Sequence, residues 1–90
     1  MKPVVIYTRD YCSYCEAAKE LLHRKGVLFT EINVTGNQER RAEMTDRANG
    51  GRTVPQIFIG DLHVGGCDEL YELEGAGRLD ALLEAEKDSA

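Results

Sequence analysis

Three consecutive segments near the N-terminus constrain the fold of this chain more than anything else in it. They are an apolar run, PVVIYT at 3–8, a helical pattern over 12–25, and a second strand-like run, VLFTEINV at 27–34. The first run is β-branched and apolar on both faces, as a strand in the middle of a sheet is. In the middle segment Cys15, Ala18, Leu21 and Leu22 recur at helical spacing, Arg24 and Lys25 occupy the last turn, and Gly26 supplies the stop. In the second run Leu28, Thr30, Ile32 and Val34 share one side, while Phe29, Glu31 and Asn33 share the other. Strand, helix and strand in so short a span imply two parallel strands joined by a right-handed crossover.

The remainder adds a hairpin and three helices. After the turn TGN, residues 37–48 form a polar helix with only Ala42, Met44 and Ala48 to anchor it, ended by NGG, so it is expected at the periphery. QIFIG and LHV flank Gly60-Asp61, a dipeptide suited to a tight antiparallel hairpin. GGCDELYELEGAG opens a further helix behind two glycines, and RLDALLEAEK places Leu79, Leu82 and Leu83 on one face of a last one. The expected order is therefore β-α-β-α-β-β-α-α, an α/β fold whose four-stranded mixed sheet carries helices on both faces. A chain of 90 residues has room for one domain, taken as 1–86, with 87–90 as a frayed tail.

Charge narrows the partners. Sixteen Asp and Glu against eleven Lys and Arg give a net charge of -5, which argues against nucleic acid or an anionic membrane as main partner, because both select a basic face. No apolar run approaches the roughly 18 residues of a membrane span, and MKPVVIYTRD lacks the apolar core of a signal peptide, so a cytoplasmic setting is expected. A reducing cytoplasm disfavours permanent disulfides, and the odd total of three cysteines points the same way.

Cys12 and Cys15, in CSYC at the mouth of the first helix, admit several readings. A cysteine at a helix N-terminus faces unpaired backbone N–H groups and the positive end of the dipole, both of which favour the thiolate. Cys15, three residues on, is within reach of Cys12 as a resolving thiol must be. Arg9 adds positive charge nearby, and Asp10 and Glu16 partly oppose it. A zinc clip is the rival reading, since CSYC and HVGGC supply a nominal three-sulfur, one-nitrogen set. It is disfavoured because structural zinc rescues chains with poor cores, whereas this chain has several apolar strands to bury, and His63 alternates with Leu62 and Val64 as an exposed strand residue would. Two inert buried cysteines are the remaining alternative.

CSYC after a first strand, TVP at Thr53, Val54 and Pro55 before another, and GGCD at Gly65 to Asp68 opening a helix together resemble glutaredoxin, of the short bacterial dithiol kind. The resemblance runs over nearly the whole chain and implies a thioredoxin-like fold, an enzyme that uses glutathione as co-substrate, Cys12 as nucleophile and Cys15 as resolving cysteine. It further implies that Val54 presents its backbone to glutathione before a cis Pro55, with Thr53 beside it. Glycines at 65 and 66 let backbone approach, and the N–H groups of Cys67 and Asp68 can hold a carboxylate. The family analogy pairs the Asp68 side chain with the glutathione ammonium; Asp68 also suits a helix start on its own account. Arg9, with Arg41 as a second candidate, would meet the other carboxylate, and Tyr14 would border the site. Tyr7, Tyr11 and Tyr71 are read as packing residues, His23 as surface, and Cys67 as contributing mainly its backbone.

One departure matters. The commonest glutaredoxin site has proline where this chain has Ser13, and some relatives with CSYC hold a [2Fe–2S] cluster between two protomers through the first cysteine and glutathione. The expectation is thus a cytoplasmic, monomeric, glutathione-dependent disulfide oxidoreductase acting on glutathionylated or disulfide-bearing proteins. The alternative is a glutathione-ligated [2Fe–2S] carrier that uses Cys12 in a dimer. The chain contains no Trp, so the WCGPC-type site of a protein-reducing thioredoxin is missing.

Overall fold

A computed structural model describes residues 2–84. Strand β1 (Val4–Thr8) leads into helix α1 (Ser13–Arg24), β2 (Thr30–Asn33), α2 (Gln38–Arg47), the hairpin β3 (Gln56–Ile59) and β4 (Leu62–Gly65), then α3 (Cys67–Gly75) and α4 (Leu79–Glu84). The sheet order is β2-β1-β3-β4. β1 runs parallel to β2, with Tyr7 opposite Ile32, and antiparallel to β3, with Tyr7 opposite Gln56. This is the mixed, thioredoxin-like arrangement expected from the order of elements. Residue 86, the expected end of the domain, and the 87–90 tail lie outside the described residues.

Alternation along the strands sorts the core into two layers. Val4 and Ile6 of β1 and Ile57 and Ile59 of β3 face Ala18, Leu21 and Leu22 of α1, Leu70 of α3, and Leu79 and Leu83 of α4. On the opposite face Tyr7, Phe58 and Val34 pack against Met44 and Ala48 at the end of α2. α2 is peripheral, as its polar composition implies, and Ala42 is exposed, so two side chains rather than three anchor it.

The structure corrects several readings of individual residues. β2 is shorter than the eight-residue run, and its two faces are as expected, but Leu28 is 91% exposed in the approach to the strand. Tyr11 is not a packing residue: it projects into solvent from a left-handed turn. Tyr7 is fully buried, its hydroxyl donating to Glu43 and accepting from Arg47, and Tyr71 donates to the Ala17 carbonyl. His63 is not an exposed strand residue either. It is half-buried, stacked on Phe58 at 5.0 Å, and its Nε2 is engaged by Gln56 at 2.6 Å.

The end of β1 is secured by a buried polar contact. Thr8, 1% exposed, donates its hydroxyl to Glu31 of β2 at 2.7 Å, and Lys19 of α1 meets the same carboxylate at 3.0 Å. The Thr8 hydrogen bond and, after it, Lys19 hold the Glu31 carboxyl below its ordinary 4.5, against the opposing effect of burial. A carboxyl depressed in the folded state contributes stability that is complete above its unfolded pKa and is lost as pH falls through the folded value. Glu31→Gln should therefore lower stability near neutral pH by on the order of 1 kcal/mol or less, given the partial exposure of the pair. The gap from wild type should close below the ordinary carboxyl range, and urea titrations over that pH interval measure it.

Candidate active site

Cys12 is the N-cap of α1, in extended backbone, and its sulfur accepts a hydrogen bond from the Cys15 N–H at 3.2 Å. That bond satisfies one of the N–H groups that every helix start leaves without an intrahelical partner. Tyr11, with φ of +57°, makes the bend between β1 and the helix. Cys12 is nearly buried and Cys15 entirely so. Burial, then the hydrogen bond with Cys12, pushes the Cys15 thiol up to about 12, while the Arg9 backbone N–H and guanidinium act in the opposite direction. Cys15 thus remains a thiol against the Cys12 sulfur. Both cysteines are free.

The antiparallel pairing of β1 and β3 brings a distant segment to this sulfur. Cys12 Sγ lies 4.0 Å from the carbonyl oxygen of Val54, 42 residues on, and the Val54–Pro55 bond is cis. Beside them opens a cleft of about 270 Å³, bounded by Tyr14 of α1 and by Thr53, Val54 and Pro55 ahead of β3. Its far side is the start of α3, formed by Gly66, Cys67, Asp68 and Glu69. Gly65 has φ of +116°, and a Cβ there would stand 3.0 Å from Glu69 Cγ; one on Gly66 would stand 3.3 Å from the Pro55 carbonyl. Glycine at 66 lets the helix start approach the Pro55 backbone, and glycine at 65 takes the positive φ and leaves room for the Glu69 side chain. Burial raises the Cys67 thiol first, and electrostatic interaction with the neighbouring Asp68, Cys12 and Glu69 adds to it.

Tyr14, Thr53, Val54, Pro55, Gly66, Cys67 and Asp68 are therefore brought together around one opening next to Cys12. Arg9 and Arg41 are not part of its lining. The Arg9 side chain is exposed, and Arg41 of α2 donates to the Arg52 carbonyl at 3.3 Å, bracing the loop that leads to Thr53. Glu69 is a lining residue that the sequence reading omitted. Its carboxylate accepts from the Gly66 N–H at 2.8 Å, and the G-x-x-E spacing of a capping box was the signal for it. Among the described residues no three or more His, Cys, Asp or Glu side chains converge as a metal site.

The arrangement sets the Cys12 sulfur, with the buried Cys15 behind it, against the Val54 carbonyl at the edge of an opening that a helix start also lines, and two neighbouring thiols are the components of disulfide chemistry. A family model, Glutaredoxin, matches residues 4–64. The chain belongs to the glutaredoxin family. It is 61% identical to a glutaredoxin of Pseudomonas aeruginosa over 85 residues, which is 94% of this chain and all of that one. Among solved structures it is similar to the solution structure of glutaredoxin from Brucella melitensis, at 55% identity and a TM-score of 0.84, covering 99% of this chain and 96% of that one. It is also similar to a crystal structure of a buckwheat glutaredoxin–glutathione complex, at 32% identity and a TM-score of 0.81, covering 91% of this chain and 76% of that one. Membership in the glutaredoxin family carries a thiol–disulfide oxidoreductase role.

The contrast between the two helix-start cysteines is measurable. With iodoacetamide at mildly alkaline pH, Cys12 should be carboxamidomethylated while Cys15, buried and held as a thiol, stays unlabelled until the protein is unfolded. Fragmentation of the tryptic peptide that carries both cysteines reads the ratio, and equal labelling in the folded protein would refute the assignment.

Proposed function

We propose that this chain is a glutathione-dependent thiol–disulfide oxidoreductase that reduces protein–glutathione mixed disulfides and protein disulfides. The observation that supports this most is the position of Cys12 Sγ, 4.0 Å from the Val54 carbonyl at the edge of a cleft whose opposite side is a helix start. An extended glutathionyl group laid along Val54 would pair with its backbone as an added strand does, and would direct its γ-glutamyl carboxylate to the N–H groups of Cys67 and Asp68. The Asp68 side chain is then beside the ammonium, and Tyr14 flanks the sulfur. Arg9, which is exposed, and the half-buried Arg41 are proposed for the glycyl carboxylate. Glutathione bound to the buckwheat relative supports the same ligand here.

In the first step Cys12 attacks the glutathionyl sulfur of the mixed disulfide. A Cys12–glutathione disulfide forms, the original S–S bond breaks, and the protein thiolate departs and takes a proton. A second glutathione thiolate then attacks the glutathionyl sulfur, releasing Cys12 and leaving as glutathione disulfide. Net, one glutathione thiol is oxidised and the substrate protein's sulfur is reduced to a thiol, while the glutathionyl sulfur passes from one disulfide to the next unchanged in oxidation state. On a protein disulfide, Cys12 attacks one substrate sulfur and releases the other as a thiol. Cys15 then loses its proton and attacks the Cys12 sulfur, forming the Cys12–Cys15 disulfide and releasing the second substrate thiol. Two glutathione molecules reduce that disulfide and leave as glutathione disulfide, so Cys15 is required for that substrate alone.

The nearness of Cys15 to the Cys12 sulfur favours this reading over a [2Fe–2S] carrier, which has no use for a resolving thiol. Such a cluster would use Cys12 together with ligands from outside the chain. Among the described residues no helix is long and apolar enough to cross a membrane. We place the activity in a reducing cytoplasm, in a monomer, with glutathionylated or disulfide-bearing proteins as substrates.

Steady-state deglutathionylation of a model peptide, coupled to glutathione reductase, tests the proposal. Wild type should turn over rapidly, Cys12→Ser should abolish turnover, and Cys15→Ser should keep most of it with this substrate. Absence of turnover by reduced, metal-free wild type would overturn the oxidoreductase reading, and anaerobic cluster reconstitution would then test the carrier.

A further inference from the structure

Beneath the Thr53–Val54 lip of the cleft runs a hydrogen-bonded chain that no step above uses. Gln56, the first residue of β3, is 5% exposed. Its Nε2 donates to the Thr53 carbonyl at 3.0 Å and to Thr53 Oγ1 at 3.3 Å, while its Oε1 lies 2.6 Å from Nε2 of His63 on β4. A Cβ on Gly51 would come within 3.1 Å of the same Nε2, so the loop backbone rests directly on the amide.

The polarity of this chain is fixed from one end. A backbone carbonyl can only accept, so the NH₂ of Gln56 must face Thr53 and its oxygen must face His63. His63 Nε2 must then carry a hydrogen, whatever the state of Nδ1. The imidazole is in turn stacked on Phe58, whose ring Arg47 of α2 covers at 4.2 Å. The exposed loop is thereby tied, through one buried amide, to the core layer beneath α2. A buried amide among apolar strand neighbours is tolerated only when it is hydrogen-bonded, and here both its ends are.

We infer that Gln56 is a positioning residue for the glutathionyl group, setting the Thr53–Val54 lip from below, and that His63 holds Gln56 in the orientation this requires. The inference rests on the reading that the lip receives glutathione. The hydrogen bond that the Cys12 sulfur accepts from the Cys15 N–H at 3.2 Å lies within the start of α1, apart from the lip; only its longer contact, 4.0 Å to the Val54 carbonyl, touches the lip, and among the described hydrogen bonds it has none to Gln56. Loss of the Gln56 amide should therefore appear in KM for a glutathionylated substrate and spare kcat.

The test compares Gln56→Glu, Gln56→Met, His63→Gln and His63→Leu with wild type in the coupled assay near neutral pH. Glutamate keeps the shape but has no N–H for Thr53, and methionine removes the amide outright. Each should raise KM for a glutathionylated peptide about five- to tenfold, the equivalent of one or two hydrogen bonds, with kcat changed by less than about twofold. The iodoacetamide rate of Cys12 should be unchanged. His63→Gln, which can still donate to Gln56, should keep KM near wild type, while His63→Leu should raise it about two- to threefold. KM within about twofold of wild type in the folded Gln56 variants would overturn the inference. So would a fall in kcat and alkylation rate that matches the loss of kcat/KM, since that marks general disruption. If neither Gln56 variant folds, the His63 pair decides: equal KM for Gln and Leu refutes the inference. Wild-type turnover separates the two levels, because its absence removes the glutathione reading itself, whereas normal turnover with unmoved KM removes only the role of Gln56.

Discussion

The antiparallel register of β1 on β3, with Tyr7 opposite Gln56, is the constraint from which the site follows. β1 ends where α1 must begin, which delivers Cys12, and β3 begins where β1 ends, which delivers Pro55 and Val54. A sulfur and a carbonyl 42 residues apart are thus neighbours because two strands pair, with no dedicated contact to bring them together. The hairpin partner β4 then returns the chain to the same end of the sheet, and Gly66 lets α3 start against the Pro55 backbone. Shifting the register by one residue would reverse the faces of β3, burying Gln56 with α1 and exposing Ile57 to α2.

The two core layers divide the labour around that register. The larger layer, under α1, α3 and α4, fixes the helix that carries Cys12 and Cys15 and the helix start across the cleft. The smaller one, under α2, holds Tyr7 and Phe58 and stands behind the loop that ends in Pro55. Polar groups enter at the seams: Thr8 with Glu31 at the parallel pair, and Gln56 with His63 at the hairpin. In each case the buried group is the terminal residue of its strand, Thr8 at the end of β1 and Gln56 at the start of β3, where main-chain pairing gives out and a side chain takes over its role.

Much of this was legible in the sequence. Periodicity located the four strands and four helices because each burying face is marked by apolar spacing, from Val4 and Ile6 to Leu79 and Leu83. Seven of the proposed binding residues surround one cleft because they fall in three short motifs that the topology joins. What pattern could not convey was direction. Tyr11 looks like a packing aromatic until the left-handed turn at that residue sends it into solvent, and a local bend leaves no trace in hydrophobic spacing. His63 looks like the exposed member of an alternating strand because its partner, Gln56, is a cross-strand neighbour rather than a sequence neighbour. The arginines illustrate a different limit, since a long charged side chain on a surface has many resting places and sequence names none of them.

The near-burial of Cys12 has a consequence for which substrates can be told apart. With one side of the sulfur against the Val54 carbonyl and another against the Cys15 N–H, an incoming disulfide can approach along only a narrow cone. Displacement at sulfur is in line, so the departing half of the disulfide must point away from the protein, into solvent. On the proposed function, the enzyme therefore measures one half of its substrate, the glutathionyl half, and is blind to the other. Breadth of substrate range is then a geometric property of the approach and needs no adaptable docking surface.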